Sequence, residues 1–178
     1  MSNVILKGNA SGTGTVTLES PNTNSDRTIS LPDSNGTVMV SGNMPAFSAY
    51  ITSGQSLTAG VATKGNFDAI AWDTNSCYST TNKRFTPNVA GYYQINGHIV
   101  LGSLSSAAEL YLFKNGTYHK YGQTTGANSS YPNAVVNALV YCNGTTDYIE
   151  LYIACNSNQT TQSGSVATSF DGCLVRSA

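Results

Sequence analysis

The sequence is poor in charge: lysine, arginine, aspartate and glutamate together make up 10% of its 178 residues. An average soluble protein carries roughly 25%. Eight basic and nine acidic side chains leave a formal net charge of −1, which gives no electrostatic attraction to nucleic acid or to an anionic membrane surface. We therefore expect no nucleic acid and no membrane surface among its partners.

Long apolar runs are also lacking. No stretch approaches the roughly 18 consecutive apolar residues that a transmembrane helix needs. Near the N-terminus the apolar run is only Val4-Ile5-Leu6, which is too short for the apolar core of a secretory signal. The sequence therefore predicts neither membrane insertion nor secretion.

Cysteines are few and widely spaced. Cys77, Cys142, Cys155 and Cys173 form no Cys-x-x-Cys pair, which argues against a zinc knuckle. We interpret them as small buried apolar residues. A disulfide between Cys142 and Cys155, which flank a predicted hairpin, is the alternative, and a reducing cytoplasm would disfavour it.

Recognisable catalytic motifs are missing: there is no Gly-x-Ser-x-Gly elbow, phosphate-binding loop, dinucleotide fingerprint or His-Glu-x-x-His. We interpret His98 as a structural strand residue and His119 as an exposed one. Asp68 and Asp73 lie near Trp72 and could contact a cation or a sugar, although for Trp72 we favour a core position at a strand end. We predict no enzyme activity, no metal site and no cofactor. An enzyme acting on surface polysaccharide is the alternative from another class.

The sequence is rich in residues that favour strands and tight turns, with 17 glycines and 11 tyrosines. Short segments of alternating apolar and polar residues recur from Ala46 onward. Asn115-Gly116 and Asn143-Gly144 are typical of tight hairpin turns. Because no helical stripe of useful length is present, the pattern predicts an all-β sandwich or barrel.

The character of the chain changes near Ser41-Gly42-Asn43-Met44-Pro45, which divides it into an N-terminal segment, residues 1–43, and a larger domain, residues 44–178. The N-terminal segment has no aromatic residue. Its β-branched stretches predict an extended lead-in at Thr13 to Leu18, followed by a hairpin that pairs Thr28 to Leu31 with Thr37 to Val40. Such a hairpin is marginal alone, so it must pack on its own domain, on sister chains or on a larger particle.

An ordered set of aromatic and glycine positions runs through the larger domain: Phe67, Tyr78, Phe85, Gly91, Tyr93, Phe170 and Gly172. Over about residues 46–178 their order and spacing resemble the signature of the globular head of complement component 1q, which has the jelly roll of tumour necrosis factor. Ile95 and Gly97 stand where that family usually has further aromatic residues. Another β-sandwich with alternating aromatic residues is the alternative.

This resemblance implies a jelly-roll β-sandwich that forms a homotrimer about a threefold axis. Phe85, Tyr93 and Phe170 would be large core residues, and Gly91 would supply a turn that a Cβ atom would obstruct. Apolar residues on both faces of one strand also favour a partner chain on the second face. These residues are Val135, Val136, Leu139 and Val140.

The N-terminal segment contains short words, including Thr15-Val16-Thr17-Leu18 and Arg27-Thr28-Ile29-Ser30-Leu31-Pro32, that resemble a segment common in phage fibre and virion-surface proteins. This resemblance implies a non-enzymatic virion structural protein that is assembled in the host cytoplasm and located on the virion surface. We expect a trimeric capsid decoration, cement or head-fibre protein. The residues expected to attach it to the major capsid protein or to another virion protein are Val16, Leu18, Ile29, Leu31 and Val38.

The alternative is a short tail fibre or fibre tip that binds a host-surface receptor, for which a host-surface glycan is a candidate. Size favours decoration, because a chain of 178 residues is short of the long shaft expected of a tail fibre.

Overall fold

The computed structural model describes residues 8, 10–19, 21–31, 33, 35–36, 38–102, 107–125 and 131–178. They belong to two units, which end and begin at Gly36 and Thr37, and each is described by itself. We call the second unit, residues 37–178, the head. It begins before the boundary near residue 43 that the composition suggested, because Met39 packs against the head's core.

The described residues of the first unit form neither strand nor helix, and all of them are exposed. The stretches Thr13 to Leu18 and Thr28 to Leu31, which we predicted as strands, have irregular backbone, and so does Val38 to Val40 of the head. The described residues therefore do not form the predicted hairpin; Pro32 and Ser34 of its turn and Thr37, the first residue of its second strand, lie outside them. With its side chains exposed, the segment buries too little apolar surface to offset the entropy of ordering two strands.

The head is built from strands, so the prediction of an all-β sandwich is confirmed. A single turn of 3-10 helix, Ser41–Asn43, comes before the first strand. The strands in chain order are β1 (Ala46–Tyr50), β2 (Ser56–Leu57), β3 (Thr63–Lys64), β4 (Ala69–Asp73), β5 (Tyr78–Ser79), β6 (Arg84–Phe85), β7 (Ala90–Val100), β8 (Ala108–Lys114), β9 (Thr117–Tyr121), β10 (Gln123–Thr125), β11 (Asn133–Asn143), β12 (Ile149–Cys155), β13 (Gln159–Thr160) and β14 (Thr168–Ser177).

Two antiparallel sheets form the sandwich. The first sheet has the order β10-β11-β7-β14-β1-β4, and the second has the order β5-β6-β12-β8-β9 with β3 also paired to β12. Strands β2 and β13 form a separate pair. The long central pair, β7 with β11, runs from Ala90 opposite Asn143 to Val100 opposite Asn133. The chain crosses repeatedly between the two sheets, as from β6 to β7, from β7 to β8 and from β11 to β12, which is the connectivity of a jelly roll.

Alternation along the central strands separates core from surface. The buried residues of β7 that face the core are Tyr93, Ile95, Gly97 and Ile99. Those of β12 are Ile149, Leu151 and Ile153. These residues face the space between the two sheets, as the period of two in the sequence indicated. Among the described residues, no helix combines the length and the apolar character needed to cross a bilayer.

All four cysteines are free thiols, so the alternative of a Cys142–Cys155 disulfide is wrong. Cys142 lies beside the β11–β12 connection, whereas Cys155 ends β12, roughly 20 Å further along that strand at about 3.3 Å per residue. Disulfide geometry needs Cα atoms within about 7 Å. Cys77, Cys142 and Cys155 are buried, and Cys173 is exposed.

Candidate interaction surfaces

The aromatic residues of the complement-like signature all lie in the core. Phe67, Phe85, Tyr93 and Phe170 are fully buried, and Tyr78 is 6% exposed. The Tyr78 hydroxyl donates to the carbonyl of Phe67 at 2.9 Å, and the Tyr93 hydroxyl donates to the carbonyl of Val89 at 2.7 Å. Burial raises the pKa of both hydroxyls. These residues therefore hold the sandwich together and offer no acid–base group.

Gly91 lies inside strand β7 and not in a turn, which corrects the role expected from the sequence. A Cβ atom on Gly91 would lie 2.4 Å from the carbonyl oxygen of Arg176 and 2.7 Å from a methyl carbon of Leu174. Both residues belong to β14, the neighbouring strand. The glycine is needed for the close approach of the two strands. Gly172 is buried in β14, where a Cβ atom would lie 2.8 Å from the Phe47 ring.

The carboxylates that the sequence suggested for a cation or sugar are engaged in loop contacts. Asp68 accepts hydrogen bonds from the backbone nitrogen and the hydroxyl of Thr52 at 2.8 and 2.9 Å. Asp73 accepts from the backbone nitrogens of Cys77 and Tyr78 at 3.0 and 2.8 Å. Burial acts to raise the pKa of Asp68, but the hydrogen bonds from Thr52 outweigh it and hold that pKa below its ordinary value. Among the described residues, no group of three or more potential ligands could hold a metal ion.

Trp72 is half exposed, which corrects the core position we favoured for it. It lies in β4, the edge strand of the first sheet, opposite Ser48 on the outward side of β1. His98 lies in the central strand β7, and His119 is exposed in β9. Burial, together with Lys120 and Lys114, holds the pKa of His119 below its ordinary value.

The outer face of the first sheet carries exposed apolar side chains on three adjacent strands. Leu139 in β11 is 56% exposed and Val175 in β14 is 58% exposed. The rings of Tyr92 and Tyr141 lie on the same face with 5.5 Å between their centroids. We call this surface the apolar face; it consists of Tyr92, Val135, Leu139, Tyr141 and Val175. Exposed apolar side chains clustered on one side of a sheet are typical of a protein–protein contact.

The sequence pointed to two of the five residues of this surface. One side of the strand with apolar residues on both faces was predicted to meet a partner chain; Val135 and Leu139 lie on its outer side, whereas Val136 and Val140 are buried in the core. Val175 was missed, because the pairing of β14 with β7 shifts register between Leu174 and Arg176. A bulge of this kind changes which side chains point outward.

The residues predicted to attach the chain to a larger particle are exposed. Relative exposures are 92% for Val16, 81% for Leu18, 89% for Ile29, 71% for Leu31 and 77% for Val38. The first four lie in the first unit and Val38 lies in the head. Fully burying such a side chain stabilises a complex by about 1.5 to 3 kcal/mol, so a partner that covered them would gain substantial affinity.

No protein-family model matches the chain, and no curated protein matches its sequence. Its fold does match solved structures. The globular domain of zebrafish complement 1qA protein matches with a TM-score of 0.57 and 15% identity, over 75% of this chain and 99% of that one. Eiger TNF from S. frugiperda matches with a TM-score of 0.58 and 12% identity, over 76% and 93%. The vertex protein P5 of phage PRD1 matches with a TM-score of 0.54 and 15% identity, over 74% and 97%.

At these identities the likeness concerns the fold alone. It agrees with the signature residues, which place large aromatic side chains between two antiparallel sheets. The head therefore has the jelly-roll β-sandwich found in complement 1q and tumour necrosis factor-like domains.

Proposed function

We propose that the protein is a non-enzymatic structural protein of a phage virion surface, a capsid decoration or head-fibre protein that displays its head as a homotrimer. The observation that carries the proposal is the apolar face. Its residues lie on β11, β7 and β14, which are neighbours in the first sheet. Sister chains that covered this face would remove its five exposed apolar side chains from water.

The composition of this side of the sheet supports self-association. The outward positions between the apolar residues in β7 and β11 include the uncharged Gln94, Asn96 and Asn137. In β14, Asp171 and Arg176 lie on the same side of the sheet. Burying amides with hydrogen-bond partners costs far less than burying unpaired charges. The complement-like signature implies three chains, and a closed ring of identical contacts would leave none of these faces open.

Two further observations support a location on a virion. The fold is shared with a phage vertex protein, and the N-terminal words resemble those of virion-surface proteins. In the segment of residues 1–43, Val16, Leu18, Ile29 and Leu31 are exposed, and the described residues before Thr37 bury no side chain. We propose that these side chains, together with Val38, bind the major capsid protein or another virion protein.

Light scattering tests the homotrimer. We expect the full-length protein at micromolar concentration to have about three times the 18.7 kDa mass of one chain. Leu139→Asp places a charge on the apolar face and should yield a folded monomer. The matched control is Val166→Asp, since Val166 is 94% exposed outside the strands, and it should remain a trimer. A wild-type protein that is monomeric under these conditions contradicts the proposal.

Competition on virus particles that lack the protein tests attachment. We expect full-length protein to bind, and a chain without residues 1–36, which leaves the head intact, to remain a trimer that no longer binds. Ile29→Asp combined with Leu31→Asp should weaken binding in the full-length chain. If the truncated protein competes with unchanged affinity, attachment lies in the head. Cryo-microscopy of the virion then distinguishes decoration from a tail fibre. A decoration protein should be present in many copies on the shell, whereas a fibre should be present in a few copies at the tail.

A further inference from the structure

The second sheet has a surface of its own, rich in aromatic rings. Three neighbouring strands, β12, β8 and β9, contribute to it. We call it the tyrosine face; it consists of Glu109, Tyr111, Phe113, Tyr118, Tyr121 and Tyr152. These side chains point away from the core, because Leu110, Leu112 and Ile153, which alternate with them, are fully buried.

The rings of the tyrosine face form one platform across three strands. Tyr111 lies opposite Tyr121 on one side and Tyr152 on the other. Ring centroids are 5.4 Å apart for Tyr111 and Tyr121, 5.6 Å for Tyr111 and Tyr118, and 4.3 Å for Phe113 and Tyr152. Cross-strand aromatic pairs at these distances support one another's orientation. The platform is therefore ordered before any ligand arrives.

Two rings of this platform are open to solvent. Tyr118 is 52% exposed and Tyr121 is 55% exposed, and both belong to the edge strand β9. Tyrosine offers a large rigid surface at a small cost in side-chain entropy, and its hydroxyl adds hydrogen bonding. Such rings suit a ligand with one apolar face and a polar rim.

A carboxylate lies at the side of the platform. Glu109 accepts hydrogen bonds from the hydroxyls of Tyr111 and Tyr121, the latter at 3.2 Å. Burial raises the pKa of the Tyr111 hydroxyl, with the Glu109 contact adding to it. Glu109, Tyr111 and Asn156 also line a hollow of about 290 Å³. The hollow places fixed polar groups next to the open rings.

Charge selects among the ligands that the platform could bind. The outward side of these strands carries two carboxylates, Glu109 and Glu150, and Lys64 is paired to Glu150 at 2.5 Å. That pairing leaves Glu109 as the charge facing the hollow. A carboxylate there repels phosphates, sialic acids and uronic acids, so an uncharged ligand fits best.

We propose that the tyrosine face binds an uncharged saccharide of the host surface, with a pyranose ring stacked on Tyr118 and Tyr121 and its hydroxyl groups hydrogen bonded to Glu109. The C–H groups of a pyranose face carry partial positive charge, and the faces of aromatic rings are negative. This inference rests on the proposed function in one respect: sister chains cover the apolar face of the first sheet, which leaves the second sheet facing outward.

A glycan array tests this inference with the full-length trimer. The probes are neutral oligosaccharides of glucose, galactose and N-acetylglucosamine, printed beside sialylated and uronic acid counterparts. We expect binding to at least one neutral probe. Tyr118→Ala combined with Tyr121→Ala should weaken it by about tenfold or more. Tyr131→Ala, which removes a tyrosine that is 60% exposed outside these strands, should leave it unchanged.

Glu109→Gln tests the role of charge. The amide keeps the size of the side chain and removes its charge, so the preference for neutral over acidic probes should fall.

The inference is overturned if no neutral probe is bound, if the double tyrosine variant binds as tightly as the wild type, or if acidic probes bind best. Loss of the trimer in the double variant also overturns it, since the face would then join chains. Light scattering on the same samples keeps the two proposals apart: a trimer without saccharide binding contradicts this inference alone, and a monomeric wild type contradicts the proposed function.

Discussion

The ring of Phe47 stacks on the ring of Phe85 with 4.4 Å between centroids and 18° between planes. Phe47 belongs to β1 of the first sheet and Phe85 to β6 of the second, so this contact joins the two halves of the sandwich. Phe170 meets Phe47 edge to face at 4.9 Å, and Tyr93 meets Phe85 at 5.4 Å. The aromatic cluster therefore joins the two sheets through contacts between large buried rings.

Truncating this cluster should destabilise the head strongly. Phe85 is fully buried, so Phe85→Ala should lower the free energy of unfolding by about 3 to 5 kcal/mol. Phe85→Leu, which keeps most of the volume, should cost clearly less. Thermal and denaturant unfolding monitored by circular dichroism measure both. A Phe85→Ala protein that melts within a degree or two of the wild type would show that Phe85 does not support the core.

Two turn glycines provide a matched pair of variants. Gly116 lies in the β8–β9 hairpin. Gly144 lies in the connection from β11 to β12, which belong to different sheets, so the hairpin predicted at Asn143-Gly144 is wrong. Gly116 and Gly144 have similar φ values, 74° and 73°, so an alanine at either site is strained by about 1 to 2 kcal/mol. A Cβ atom on Gly144 would also lie 2.3 Å from the backbone nitrogen of Ala90, whereas on Gly116 the nearest atom is the Tyr148 hydroxyl at 3.3 Å. Gly144→Ala should therefore lower the melting temperature markedly more than Gly116→Ala. Equal losses would mean that strain alone, and not the contact with Ala90, determines the cost.

Local patterns predicted the parts of the fold that depend on near neighbours in the chain. Alternation identified the buried side of β12, with Ile149, Leu151 and Ile153, and Asn115-Gly116 marked the β8–β9 hairpin. The order of aromatic and glycine positions along the chain predicted that these strands form a jelly roll. Alternation and the Asn-Gly turn can each be recognised within a few residues. The order of the signature residues spans most of the chain, and it indicates a fold only by comparison with a known family.

The features that sequence reasoning missed depend on distant neighbours. Gly91 was assigned to a turn, because the strand that approaches it contains Leu174 and Arg176, far away in the chain. Trp72 is exposed because β4 is an edge strand in which alternation is lost. The N-terminal hairpin was predicted from the local preferences of turn and β-branched residues. Its stability needs buried apolar surface, which the described residues of the first unit do not provide. The tyrosine face was missed because the distant strand β12 brings Tyr152 beside Tyr111, and because a register shift in the β8–β9 pairing places both Tyr118 and Tyr121 on this face.

Acid should destabilise the head through Asp147. Its carboxylate is 2.9 Å from the Lys114 ammonium and accepts from the side-chain amide of Asn115 at 2.7 Å and the backbone nitrogen of Asn143 at 3.0 Å. Burial acts to raise the pKa of Asp147, but these hydrogen bonds and Lys114 outweigh it and hold that pKa below the ordinary value of 3.8. A lowered pKa means that the stabilisation is present above about pH 4 and is lost as the pH falls through the pKa of the folded protein.

Melting temperatures measured between pH 7 and pH 2.5 test this linkage. At pH 7, Asp147→Asn should be less stable than the wild type by about 1 to 3 kcal/mol, since it loses charged hydrogen bonds. The difference should shrink below pH 4, where the wild-type carboxylate becomes protonated. Asp68, whose pKa is also lowered, titrates in both proteins, so the comparison isolates Asp147. A difference that stays constant down to pH 2.5 contradicts the assignment.

The reactivity of Cys173 should report whether the apolar face is covered. Cys173 lies opposite Gln94, whose other cross-strand neighbour is Leu139 of the apolar face, and it is the one exposed cysteine. Burial raises the pKa of Cys77, Cys142 and Cys155, that of Cys142 to about 11, so these thiols should react slowly with a thiol reagent.

In the native trimer we expect all four thiols to be protected, because sister chains cover Cys173. In the Leu139→Asp monomer about one thiol per chain should react quickly, since Cys173 is then exposed, and adding Cys173→Ala should abolish that fast phase. The time course of a chromogenic disulfide reagent measures both proteins, with the unfolded chain as the reference for all four thiols. The contrary outcome is a wild-type protein with the mass of a trimer in which one thiol per chain reacts as fast as in the monomer. The contact between chains would then lie on a different surface from the apolar face.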